Sequence, residues 1–158
     1  MKLWYLAVFS ATLSAQSVLL LPSPPSHDGS GTVYMQLVAR TEVAPASLQW
    51  RISVPDGIAI QTTDITAAVA VEHAGKSVTC AVPQKPGAAK TILCVLVGGT
   101  QRLPNGEIIQ IHFKRTTAPA PVVLTLDQIL GATPGGKLVT FPDARATLSP
   151  PDQEMNRD

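Results

Sequence analysis

The chain has 158 residues, with 12 Lys plus Arg against 11 Asp plus Glu. Setting aside an apolar N-terminus and a short polar tail leaves roughly 120 residues, the size of one domain with one core. The charges are few and evenly spread, which excludes a basic surface for nucleic acid and an acidic interaction tail.

Met1-Lys2 followed by the apolar run Leu3 to Leu13 has the charged start and short hydrophobic stretch of a signal peptide, and is too brief to span a bilayer alone. The export segment is expected over 1–17, with cleavage after Ala15 or after Ser17. An uncleaved anchor extended through Val18 to Leu21 is the alternative, and the polar residues from Ser10 to Ser17 interrupt it. Residues 18–31 carry LPSPPSHDGSG and read as a flexible linker, so the domain is expected over 32–148.

In TVYMQLVAR, Val33, Met35, Leu37 and Ala39 alternate with Tyr34, Gln36, Val38 and Arg40, the period of a half-buried strand. SLQWRISV repeats the pattern with Leu48, Trp50, Ile52 and Val54 inward, and Pro55-Asp56-Gly57 ends it. Ile58 to Gln61 reads as a short strand. TTDITAAVAVEHAG reads as extended chain with a brief helical piece, which Asp64 is placed to cap. Further strands are predicted at Lys76 to Val82, Thr91 to Val97, Gly106 to Lys114 with Ile109, Ile111 and Phe113 inward, Val122 to Leu126 and Lys137 to Phe141. An edge strand is predicted at Ala144 to Leu148. Residues 149–158 bury too little to order and read as a disordered tail. Many short strands punctuated by Gly, Pro and Asn, without a long amphipathic helix, predict an all-β antiparallel sandwich.

The two cysteines, Cys80 and Cys94, lie symmetrically about Gly87 between two of these strands. Simple antiparallel pairing sets them opposite each other, within disulfide reach, and an exported chain favours the bridge. Two buried free thiols acting as small apolar side chains are the alternative. The spacing is not C-x-x-C, so no redox-active pair is expected.

No constellation of catalytic or ligating residues emerges. His27 lies in the linker, His73 in a turn and His112 on the outward side of its strand, so no metal site is predicted. Asp56, Asp64, Glu107, Asp127 and Asp143 fall at predicted turns or strand ends, where carboxylates cap backbone groups. Gly98-Gly99 and Gly135-Gly136 lack the spacing of a phosphate loop, and no cofactor is expected. Trp50, Phe113 and Phe141 are placed inward, which leaves Tyr34 as the one outward aromatic platform for a sugar ring.

The segments SLQWRISVPDGIAI, AGKSVTC, LCVLVGGTQRLPNGEIIQIHFK and VVLTLDQILGATPGGKLV, taken in this order, resemble the strands of cohesin-like modules of the small secreted bacterial type, over about Thr32 to Leu148. The resemblance implies a jelly-roll sandwich of the superfamily that cohesins share with some cellulose-binding modules. It further implies a non-enzymatic module without a cofactor or metal, which holds a dockerin-like protein partner on one sheet face. No dockerin-type calcium loop occurs in the sequence, so the chain would be the receptor side; individual contact residues are not assigned. The expectation is a secreted or periplasmic recognition module with no nucleic-acid partner and no membrane contact after cleavage. The alternatives are a module that binds extracellular polysaccharide, or a docking subunit of an envelope or secretion assembly.

Overall fold

A computed structural model describes residues 16–84, 90–116 and 120–151. The apolar run expected as an export segment, the Gly87 midpoint of the cysteine hairpin and the tail from residue 152 lie outside the described residues.

Among the described residues, eleven strands form two antiparallel sheets. The strands are β1 (Gln16–Pro22), β2 (Ser30–Ala39), β3 (Ser47–Ser53), β4 (Ile58–Ala59), β5 (Ile65–Ala67), β6 (Ser77–Ala81), β7 (Thr91–Val97), β8 (Gly106–Arg115), β9 (Val122–Ala132), β10 (Leu138–Thr140) and β11 (Ala144–Leu148). The five-stranded sheet runs β1-β2-β8-β4, with β5 also on β8. The six-stranded sheet runs β10-β9-β3-β7-β6, with β11 also on β9. The antiparallel sandwich expected from the strand pattern, and the jelly-roll that the resemblance implies, are thus formed.

The alternation of the sequence decides which side chains fill the space between the sheets. Val33, Met35, Leu37, Leu48, Trp50, Ile52, Ile111, Leu124 and Leu126 are all buried, as the period-two reading requires. Phe113 and Phe141 are buried too, and Tyr34 is half-buried on the outer side of β2. Phe113 packs over Gly31, its partner on β2, and a Cβ at that glycine would meet the ring at 2.5 Å. The absent side chain is what admits the ring.

Three local outcomes depart from the sequence reading. The linker expected over 18–31 is corrected: Val18 to Pro22 lie in β1, which pairs from Gln16↔Ala39 to Pro22↔Val33 and buries Val18 and Leu20, and Ser30 and Gly31 open β2. Only 23–29 connects β1 to β2, closed by Ser26 N donating to Ser30 O and by Asp28 Oδ1 accepting from Ser30. The described sandwich therefore includes Gln16–Pro22, ahead of the Thr32 start that the sequence suggests. The Pro/Ser/Gly composition of the turn concealed the short apolar strand that precedes it.

The second departure is in β9, which continues six residues past Leu126. Between Gln49 and Arg51 the register on β9 jumps from Leu130 to Asp127, so Gln128 and Ile129 together oppose Trp50. Gln128 takes φ 51°, and this bulge turns it outward while Ile129 re-enters the core. Without the extra residue, Gln128 would point at the core. The third departure is at Asp64, which occupies the end of a 3-10 turn, Thr62–Asp64, and accepts from Gln61 N at 2.8 Å. The brief helix lies just after it, at Val69–His73.

Candidate functional site

The cysteine pair fixes one edge of the six-stranded sheet. Cys80 on β6 stands directly across from Cys94 on β7, and the two form a disulfide with Cα atoms 4.1 Å apart. Both face inward beneath the outer surface, Cys94 fully buried and Cys80 partly so. The odd-numbered residues between and around them therefore face out.

On β7 those residues are Leu93, Val95 and Val97, which are 44%, 41% and 43% exposed. The registers extend each of them into a row across the sheet. Leu93 lies between Ala81 and Arg51, and Val95 between Thr79 and Gln49. Leu130 continues the row of Val95 onto β9, and Thr140 continues it onto β10. Shallow depressions of about 210 Å³ and about 190 Å³ flank this centre, one reaching Leu130 and Leu138 and the other reaching Gln128. An interior strand of a solvated antiparallel sheet ordinarily alternates polar residues outward, and β7 does not.

The polar element of this face is an ion pair. Arg51 donates through Nε to Asp127 Oδ1 at 2.6 Å and through Nη2 to Oδ2 at 2.7 Å, a two-pronged contact between β3 and β9. The guanidinium holds the Asp127 carboxyl below its ordinary range. Asp127 therefore sits inside a long strand, whereas the sequence reading placed it at a strand end. Pairing it with Arg51 needed the bulge at Gln128, which no local pattern discloses.

The remaining singled-out residues stay apart. His27, His73 and His112 are all exposed, on a turn, a helix end and β8 respectively, and His112 Nδ1 lies 2.9 Å from Thr32 Oγ1. Asp56 and Asp143 are exposed. Glu107 accepts from Gln110 Nε2 at 2.6 Å. No cluster of three metal-ligating side chains occurs among the described residues. Tyr34 lies on the other sheet, between Leu21 and Gln110. No helix among the described residues is long and apolar enough to cross a membrane.

Two features escaped the sequence reading. TILCVLV is apolar on both faces, so its periodicity was silent about which residues stay uncovered. Lys76 is buried at 3% exposure, with Nζ donating to Gly98 O at 2.6 Å, and burial lowers its pKa.

The two-sheet topology has counterparts among solved structures. A non-cellulosomal cohesin from the hyperthermophilic archaeon Archaeoglobus fulgidus superposes with a TM-score of 0.69 at 15% identity, covering 89% of this chain and 94% of that one. The chain has the cohesin fold. A cohesin module from a Clostridium perfringens family 33 glycoside hydrolase matches with a TM-score of 0.69 at 8% identity, over 88% of this chain and 98% of that one. A chain of a type I cohesin–dockerin complex from Clostridium thermocellum matches with a TM-score of 0.62 at 12% identity, over 83% and 96%. No family model matches the sequence, and no curated protein matches it. At these identities the shared property is the cohesin-like fold.

Proposed function

We propose that the protein is an exported, non-enzymatic recognition module that docks a protein partner on the outer face of its six-stranded sheet. The observation that carries this reading is the uncovered aliphatic row Leu93, Val95 and Val97 on an interior strand. Covering the exposed parts of these three side chains contributes about 2–4 kcal/mol in total, at the usual value for aliphatic burial. The Arg51–Asp127 pair beside Leu93 adds a polar fixed point, which sets orientation more than affinity. The cohesin fold supports a dockerin-like partner, since one of the matched structures is itself a cohesin–dockerin complex. The Cys80–Cys94 disulfide supports an oxidising compartment.

Export would be followed by cleavage after Ala15, which leaves β1 whole. Cleavage after Ser17 would remove Gln16 and Ser17, which pair with Ala39 and Val38.

The docking test is capture from the native exoproteome on immobilised protein. A saturable protein partner should bind the parent, and Leu93→Glu with Val95→Glu should abolish that binding while leaving the fold and its unfolding midpoint intact. Tyr34→Ala, on the opposite sheet, should leave it unchanged. Retention on polysaccharide that is lost in Tyr34→Ala would instead establish the carbohydrate-binding alternative.

A further inference from the structure

A second apolar site lies away from the docking rows, at the end of the sandwich where β3 and β6 stop and β7 begins. A cleft of about 250 Å³ opens there between the two sheets. Val54, Ile58 and Ile60 form one wall, from the chain that leaves β3 and enters β4; Val82 and Ile92 form the other, from the arms of the disulfide hairpin. Val54 N donates to Lys90 O at 2.9 Å and so ties the two walls at their base. Ile58 and Ile92 are buried at the bottom, whereas Val82 is 58% exposed at the rim. The lining is thus continuous from the core to an uncovered aliphatic edge.

Lys90 is the one charged side chain in this lining. It forms no ion pair among the described residues, whose only such pair is Arg51–Asp127. An aliphatic cleft whose lining carries one ammonium, on the exposed Lys90, fits a molecule with one hydrocarbon tail and one anionic head. We infer that this cleft binds a free, single-chain anionic amphiphile, such as a medium-chain fatty carboxylate. The tail lies against Ile58, Ile60 and Val82, and the carboxylate meets Lys90 Nζ. A space of about 250 Å³ is of the size of one medium-length hydrocarbon chain and too small for the paired chains of a bilayer lipid.

Sodium decanoate, titrated below its micelle concentration into the isotopically labelled full-length protein, tests this by amide chemical shifts. Saturable shifts are expected at Ile58, Ile60, Val82 and Ile92. Lys90→Gln should weaken decanoate roughly two- to fivefold, the range of an exposed ion pair, while decanol, which lacks the charge, should bind parent and variant alike. Val82→Asp, a change at an exposed position that the fold tolerates, should abolish the shifts, and Ile60→Asp should do the same. Shifts spread over the outer face of the six-stranded sheet would overturn the inference, as would decanoate affinity unchanged in Lys90→Gln. Equal response to phosphatidylglycerol vesicles at matched acyl concentration would also overturn it, because a bilayer would then be the ligand. The expected shifts at the cleft are independent of docking at Leu93 and Val95.

Discussion

Removal of the Cys80–Cys94 disulfide probes the link between the edge strand and the docking face. The perturbation is Cys80→Ala with Cys94→Ala, chosen so that no hydroxyl is placed at the buried position 94. A bridge at sequence separation 14 restricts the unfolded chain by about 3 kcal/mol in the loop-closure model. A single domain is typically stable by about 5–15 kcal/mol, so the variant should remain folded in water. With a urea slope of about 1–3 kcal/mol/M for a domain of this size, the midpoint should fall by about 1–3 M. Trp50, which lies directly across from Cys94 on β3, reports the transition by fluorescence. Hydrogen exchange should show protection lost first in β6, because among the described residues this strand pairs only with β7. The outer rows through Thr79 and Ala81 would loosen with it. If the midpoint stays within about 0.3 M of the parent at an unchanged slope, the reasoning that the bridge restrains the unfolded chain is refuted. Loss of protection spread evenly over both sheets would refute the idea that β6 is held chiefly by the bridge.

Gly31→Ala should destabilise the domain by about 1–3 kcal/mol, the usual cost of overpacking, because its Cβ meets the Phe113 ring. A chemical-denaturation curve matching the parent would contradict that packing. Burial lowers the Lys76 pKa below its ordinary 10.5, so the unfolded chain holds this proton more tightly than the folded one. Stability should therefore rise as pH climbs from the folded pKa towards 10.5. That rise should vanish in Lys76→Met, as measured by thermal melts across alkaline pH. The Arg51 guanidinium lowers the Asp127 pKa below 3.8. Here the unfolded chain takes up the proton first, so the contribution of the pair is complete well above 3.8 and is lost as pH falls through the folded value. Asp127→Asn should flatten that part of the acid-unfolding profile, and an unaltered profile would show that the pair is stability-neutral.

Much of the sandwich was legible because alternation is a direct physical consequence of the pleat. Leu48, Trp50 and Ile52, or Val33, Met35 and Leu37, share a face in any strand, and only one face can be buried against the other sheet. The cysteine bridge was legible for a similar reason, since equal arms about a turn bring Cys80 opposite Cys94. The candidate face was not. Leu93, Val95 and Val97 alternate with Ile92, Cys94 and Leu96, which are equally apolar, so local pattern could not tell the covered set from the uncovered one. The cleft at Lys90 was hidden in the same way, because its walls come from segments more than twenty residues apart.

The sequence by itself determined the all-β class, the order and inward faces of the principal strands, and the position of the disulfide. Each of these depends on period-two spacing or on symmetry about a turn, and both act within a few residues. Only the tertiary structure decided that Gln16–Pro22 is a strand, that the bulge at Gln128 brings Asp127 to Arg51, and that the outer side of β7 lies bare. Each of those depends on which distant segment packs against which, and that is settled by competition for burial across the whole chain.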